Sequence, residues 1–132
     1  MRTELLRPGV GILAMALLAI APSGCGPGAA QPADQEAARN ALRTALDAWK
    51  KGDPLDSLAQ AQPPIHVSDW RWKSGAKLVR YEVDDRDQAV GAERRWPVKL
   101  WIDGGTGKTI HETTAYSVAT HPALTVSRLG DQ

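Results

Sequence analysis

The sequence predicts an α+β domain in which an N-terminal amphipathic helix and a short second helix pack on a curled antiparallel sheet of about four strands. Apolar residues recur at helical spacing over 38–49, which is typical of one buried helix face. From residue 77 onward, apolar and polar residues alternate, as they do in half-buried strands. Because the helical segment comes first and the strands follow, the order favours segregated helices and strands over an alternating α/β plan.

Clear start and stop signals bound the first helix. Asp34 can accept a hydrogen bond from a first-turn amide, and Gly52 suits the left-handed residue that ends a helix. Asp53 and Pro54 then predict a second, short helix that ends at the prolines 63–64. The buried stripe expected for the first helix comprises Ala38, Leu42, Ala45, Leu46 and Trp49.

The remaining chain predicts strands separated by turns. Residues 65–72 are interpreted as a mixed strand and turn, and 84–91 as a polar loop. Pro97 lies inside a predicted strand and indicates an edge position or a bulge. The predicted strands are 77–83, 94–102, 109–120 and 124–128, and the expected inward residues are Val79, Tyr81, Val83, Trp96, Val98, Leu100, Ile102, Ile110, Tyr116 and Val118.

The N-terminus predicts export, with a signal peptide over residues 1–24. An uncharged run at 10–21 follows two arginines and is too short to span a bilayer, which takes about 20 apolar residues. Ser23-Gly24-Cys25 then resembles the lipobox of bacterial lipoproteins, and this resemblance implies a lipid on the Cys25 thiol. An ordinary secretory signal is the alternative, because Pro22 stands where the lipobox usually has Leu.

The segment after this signal predicts how the protein is placed in the cell. Residues 25–33 would form the lipidated cysteine and a flexible tether rich in Gly, Pro and Ala, with the single domain at 34–129. The expected location is the cell envelope, with the membrane reached through the lipid. Gly26 is not the Asp that signals inner-membrane retention, so the outer membrane or cell surface is favoured, with a periplasm-facing position possible.

Composition and spacing exclude several function classes. The 16 basic and 15 acidic side chains give a net charge of +1, which does not favour nucleic acid as a partner. The single cysteine rules out a disulfide within the chain. His66, His111 and His121 lack metal-ligand spacing, so neither a metal nor another cofactor is predicted. The glycine-rich segment 104–109 is interpreted as a hairpin turn and not a phosphate loop, since Ile102 occupies a required glycine position.

One segment resembles a known family. Residues 46–58 (LDAWKKGDPLDSL) are similar to the helix–Gly-Asp–helix opening of NTF2-like (SnoaL-type) domains of the cystatin-like fold, as carried by some bacterial lipoproteins of unassigned function. The resemblance implies a cone-shaped sheet, in which enzymes of the family place an Asp or His for proton transfer. By their order along the chain, His66, Asp69 and Asp84 are the corresponding candidates.

The tryptophans offer a second hypothesis. Trp70 and Trp72 would share one face if this stretch were extended, and could bind a peptide, glycan or small ligand. Trp101 lies on the polar face of its predicted strand, either as an exposed contact or paired with a neighbouring strand. The competing interpretation is that Trp70 and Trp72 fill the core together with Trp49 and Trp96, in a chain that contains no Phe.

Taken together, these features predict an envelope lipoprotein with a small, non-enzymatic binding or structural domain. Its partner would be the membrane, with a protein or peptide as a further candidate and self-association through the open sheet face as another. The alternative is an NTF2-like enzyme that uses His66 or Asp69 as an acid–base group.

Overall fold

The computed structural model describes residues 32–130, so the predicted signal peptide and Cys25 lie outside the described residues. The fold contains a six-stranded sheet and three helices. One long helix and a 3-10 helix precede the first strand, and a one-turn helix lies between the first two strands. The elements are α1 (Gln35–Lys51), the 3-10 helix (Leu55–Gln60), β1 (Ile65–Ser68), α2 (Trp70–Lys73), β2 (Lys77–Val83), β3 (Gln88–Val90), β4 (Glu93–Asp103), β5 (Thr109–Ala119) and β6 (Leu124–Leu129).

The sheet is curled and mostly antiparallel, with the order β1-β6-β5-β4-β2 and β3 added beside β4. The α+β class is therefore confirmed, but the sheet has six strands where about four were predicted. β3 lies in the predicted polar loop, and its three residues are all exposed, so no alternating pattern marks it. β1 pairs with β6 in parallel, a long-range contact that local alternation does not reveal.

Helix α1 matches its predicted boundaries. The Asp34 carboxylate accepts a hydrogen bond from the Ala37 amide at 2.9 Å, and Gly52 ends the helix with φ 87°. The predicted stripe is buried and packs in one core with the inward residues of β4, Trp96, Val98, Leu100 and Ile102. Within residues 32–130, no helix combines the length and apolar character that crossing a bilayer requires.

The residue directly before Asp34 packs in the core. Ala33, the last residue of the predicted tether, is buried in the core, and its carbonyl accepts a hydrogen bond from Arg94 Nε at 2.6 Å. This contact fixes the beginning of α1 beside the first residues of β4.

The second helix is a 3-10 helix and starts later than predicted. Pro54 occupies its cap position in an extended conformation without a side-chain hydrogen bond, so Asp53 does not act as the N-cap. The Asp53 amide instead donates to the Ala48 carbonyl at 3.0 Å as part of the end of α1. Leu58 is the residue of this helix that is fully buried.

Two residues predicted to point inward are exposed instead. The pairing of β2 with β4 shifts between Leu78 and Arg80, which buries Leu78 and leaves Val79 48 % exposed. A bulge of this kind reverses the faces of the residues before it. Ile110 is 44 % exposed because it lies at the start of β5, near the turn that joins it to β4.

Pro97 lies where β4 changes partners along one of its edges. β2 pairs with β4 as far as Val98, and β3 pairs with it from Arg95. The carbonyl of Pro97 accepts a hydrogen bond from the Asp84 amide at 2.9 Å, which places this edge beside the loop between β2 and β3. Pro97 has no N–H to donate, but it lies between the β2 and β3 pairings, where no strand residue requires that donor.

Candidate functional site

A cleft with a volume of about 940 Å³ lies at the C-terminal end of α1. Its walls come from the turn after α1, the end of β1, helix α2 and the segment before β2. Arg128 from β6 reaches the same cleft. The lining segments are 52–56, 67–70 and 75–77, together with Trp49, Trp72 and Lys73.

Helix α2 forms because Asp69 caps it. The Asp69 Oδ1 atom accepts hydrogen bonds from the amides of Arg71 at 2.9 Å and Trp72 at 3.3 Å. Gly75, with φ 93°, terminates this turn. The stretch predicted as mixed strand and turn is therefore a strand to Ser68 followed by a helical turn. As a result, Trp70 and Trp72 do not share the face that an extended chain would give them.

Trp72 is part of the core that backs the cleft. It stacks on Trp49 with ring centroids 5.8 Å apart and an interplanar angle of 10°. The Trp72 indole donates to the Asp53 carbonyl at 3.1 Å, and the Trp49 indole donates to the Ala76 carbonyl at 2.7 Å. Both indole N–H groups are thus satisfied by backbone, and the pair ties α1 to the segment before β2.

Trp70 is 42 % exposed and stands between two clefts. The second cleft, of about 370 Å³, lies along β5 and the end of β6, and Trp70 and Arg128 line both. The guanidinium carbons of Arg71 and Arg128 lie 4.6 and 5.3 Å from the centre of the Trp70 ring. These cation–π contacts hold an exposed aromatic ring in a defined position.

A network of buried charges lies beneath Trp70. The Tyr116 hydroxyl donates to Asp69 Oδ2, and Arg128 Nη1 lies 3.8 Å from Asp69 Oδ1. Arg128 also donates to one oxygen of Glu112 at 3.0 Å, and Arg71 donates to the other at 2.7 Å. Two carboxylates and two guanidiniums therefore balance in charge, and they join α2 to β5 and β6.

This environment shifts two pKa values. Burial, followed by the charge of Asp69, raises the pKa of the Tyr116 hydroxyl, so that it remains a neutral donor. Burial also works to raise the pKa of Glu112, but the hydrogen bonds and charges of Arg71 and Arg128 outweigh it and hold that pKa below its ordinary value. Glu112 is therefore an ionised partner of both arginines at neutral pH.

The three acid–base candidates do not form one site. The Asp69 side chain is only 1 % exposed, and both of its oxygens accept hydrogen bonds from the protein. His66 alternates with the inward residues of β1, is exposed, and does not line the cleft. Asp84 follows β2, where hydrogen bonds from Arg86 hold its pKa below the ordinary value.

Trp101 lies on the other face of the sheet. Its ring stacks on the His111 ring at 4.7 Å with an interplanar angle of 21°, and the Arg80 guanidinium lies 4.6 Å from its centre. Both neighbours are its cross-strand partners on β5 and β2. Trp101 is thus a half-buried member of a cross-strand stack, remote from the cleft that contains Trp70.

Sequence reasoning did not single out Arg71, Glu112 or Arg128. A signal was available for two of them: Glu112 occupies an inward position between Ile110 and Tyr116, and Arg128 is in register with Tyr116. A charged residue at an inward position of an alternating strand indicates a buried ion pair or a site. In the stretch 32–130, no group of three or more His, Cys, Asp or Glu is arranged to hold a metal ion.

Comparison with family models, with curated proteins and with solved structures found no match to this chain. The structure itself defines a small α+β domain, with one main helix packed on a curled sheet.

Proposed function

We propose that this protein is an envelope lipoprotein, anchored through Cys25, whose domain binds a peptide segment of a partner protein in the cleft beside Trp70. The observation that carries this proposal is the exposed Trp70 ring held between two clefts. Clefts of several hundred Å³ that combine aromatic and polar groups are usual ligand sites. The domain acts by binding and not by catalysis.

The composition of the cleft favours a peptide. Asp53 and Asp56 on one wall and Lys73 and Lys77 on another provide exposed charges of both signs around the aromatic surface. A peptide can present an apolar side chain to Trp70 and charged groups to these residues. A neutral glycan would use the aromatic ring but would have no need of the charges.

Backbone amide NMR of residues 26–132 tests the binding proposal. Titration with a set of short peptides carrying one aromatic and two charged residues should shift the amides of 53, 55, 56 and 67–77. Trp70→Ala should abolish these shifts, because it removes the exposed ring. Trp101→Ala is the matched control, since it removes a Trp from the opposite face, and it should leave the shifts unchanged.

Two results would overturn this proposal. One is that no peptide shifts the cleft amides while an oligosaccharide set does, which would assign the cleft to glycans. The other is that the shifts centre on Trp101 and His111, which would place binding on the outer face of the sheet.

The anchor rests on the sequence of residues 1–25. The uncharged run at 10–21 and the small residues directly before Cys25 support lipidation, and a lipid on this residue would also cap the one cysteine of an exported chain. Two or three acyl chains on one residue give stable membrane attachment. We place the protein at the outer membrane or cell surface because Gly26 follows the cysteine.

The NTF2-like, cystatin-like assignment is also a proposal. It is supported by the amphipathic helix α1 packed against a curled sheet and by the resemblance of segment 46–58. The segment after Gly52 forms a 3-10 helix, and β1 pairs in parallel, so the assignment depends on the helix–sheet arrangement and not on these details.

A second candidate is an acid–base enzyme that uses Asp69, favoured by one observation: this carboxylate lies in the cleft wall beside Trp70 and Trp72. A catalytic carboxylate must be reachable from the cleft. Carbodiimide coupling of an amine to the folded protein, mapped by mass spectrometry, separates the two candidates. We expect rapid modification of Asp53 and Asp56 and none of Asp69, whereas rapid modification of Asp69 would favour the enzyme.

A further inference from the structure

We infer that the domain sits on the membrane with the N-terminal end of α1 toward the lipid and the Trp70 cleft directed away from it. The surface that meets the lipid consists of strand β3 with the turn that follows it (88–92) and the turn between β5 and β6 (120–123); we call it the turn surface. This inference rests on the proposed anchor at Cys25 and adds to it an orientation and a second contact with the membrane.

Chain length limits where the anchor can be. Cys25 is eight residues before Ala33, and an extended chain covers at most about 29 Å over eight residues. Arg94 fixes the Ala33 carbonyl at 2.6 Å, so the attachment point lies beside the start of β4. A lipid on Cys25 therefore holds this end of the domain within about 29 Å of the bilayer.

A series of contacts gives the direction of α1. Near its start, Gln35 donates to Asp87 and Arg39 pairs with Asp85, both in the loop before β3. Near its end, Trp49 donates to the Ala76 carbonyl, just before β2. The helix has 17 residues and is about 25 Å long, so the cleft at its C-terminal end is separated from the attachment point by that length.

The turn surface lies at the attachment end. Ala119 of β5 pairs with Glu93 of β4. This pairing brings the turns at 91–92 and 120–123 to the same end of the strands as the start of α1. The same register places the β4–β5 turn at the opposite end of these strands, since Asp103 pairs with Thr109. The clefts have lining residues toward that opposite end, with Lys77 in the first and the end of β6 in the second.

The composition of the turn surface suits a lipid headgroup region. Residues 88–92 (QAVGA) and 120–123 (THPA) carry no Asp, Glu, Lys or Arg. Val90 is 37 % exposed, and Ala89 and Ala92 are exposed beside it. Arg86 and Arg95 flank this apolar tip, and each lies beside a carboxylate, Asp84 and Glu93 respectively, so the flanks carry charges of both signs. Small uncharged residues at a turn can enter the interface without spanning it.

Site-specific fluorescence of the lipidated full chain tests the orientation. Because Cys25 is the only cysteine and its thiol carries the lipid in this proposal, an introduced cysteine is the only free thiol. Val90→Cys and Ala92→Cys place an environment-sensitive dye on the turn surface. Asp56→Cys places the same dye at the cleft and is the matched control. Each protein is incorporated into phosphatidylethanolamine–phosphatidylglycerol vesicles that contain nitroxide-labelled headgroups.

The dye at 90 and 92 should show a blue-shifted emission and lose most of its intensity to the nitroxide, while the dye at 56 should show neither change. Equal quenching at both ends, or stronger quenching at 56, in protein that is bound to the vesicles would overturn the orientation and leave the anchor intact. Failure of the full chain to enter the vesicles would overturn the anchor, and the orientation with it.

Discussion

At the scale of single residues, the ion pairs beneath Trp70 hold the side chains of the candidate site in position. Arg128 is 6 % exposed and lies between Asp69 and Glu112, so its charge is compensated inside the protein. Removing one partner of a buried ion pair costs more than the pair itself contributes, because the other charge remains desolvated. Trp70 depends on this arrangement, since its ring packs on both arginines.

The lowered pKa of Glu112 predicts an acid-sensitive stability. A carboxyl group with a lower pKa in the folded state stabilises the fold above its unfolded pKa, and this contribution is lost as the pH falls through the folded value. Glu112→Gln should therefore be less stable at pH 7 and should lose less stability than the wild type below about pH 4.5. Urea midpoints measured across this range provide the comparison.

Glu82→Gln is the matched control for that experiment, because Glu82 pairs with Arg80 at an exposed position. It should follow the wild-type pH dependence. An acid slope for Glu112→Gln as steep as that of the wild type would show that the carboxylate between Arg71 and Arg128 does not contribute as described.

At the scale of elements, local signals predicted α1 well and the site poorly. The cap, the apolar stripe and the terminal glycine of α1 are signals between near neighbours in the chain, and the structure agrees with all three. The sequence predicts a mixed strand and turn at 65–72, because Trp70 and Trp72 alternate, whereas Asp69 and Gly75 act in the structure as the cap and stop residues of helix α2. The β1–β6 pairing joins segments about 60 residues apart, and only the assembled sheet reveals it.

The two aspartates at the ends of α1 provide a test at this scale. Asp34→Ala should lower the free energy of unfolding by about 1 kcal/mol, because the Ala37 amide loses its acceptor. Asp53→Ala is the matched control. The Asp53 backbone accepts a hydrogen bond from Trp72 and donates one to Ala48, but its side chain caps no helix, so the loss in free energy of unfolding should be much smaller. Chemical denaturation measures both, and equal losses would contradict the assigned caps.

At the scale of the whole molecule, α1 runs from the end of the domain that contains Ala33 to the cleft. Its start lies beside the predicted tether through Ala33, and its end contributes Trp49 to the cleft. The signal pattern predicts an anchored domain, and the structure places the cleft at the opposite end of α1 from Ala33. The cleft itself could not be predicted, because its walls come from segments far apart in sequence that only the sheet brings together.

The lipid on Cys25 is the most direct test of this account, since both the location and the orientation depend on it. Cells expressing the full chain are labelled with radioactive palmitate, and the protein is partitioned between detergent and water. The wild type and the tether control Gln31→Ala should be labelled and enter the detergent phase, while Cys25→Ala should lose both properties. A Cys25→Ala protein that still incorporates palmitate or remains with the membranes would contradict the account.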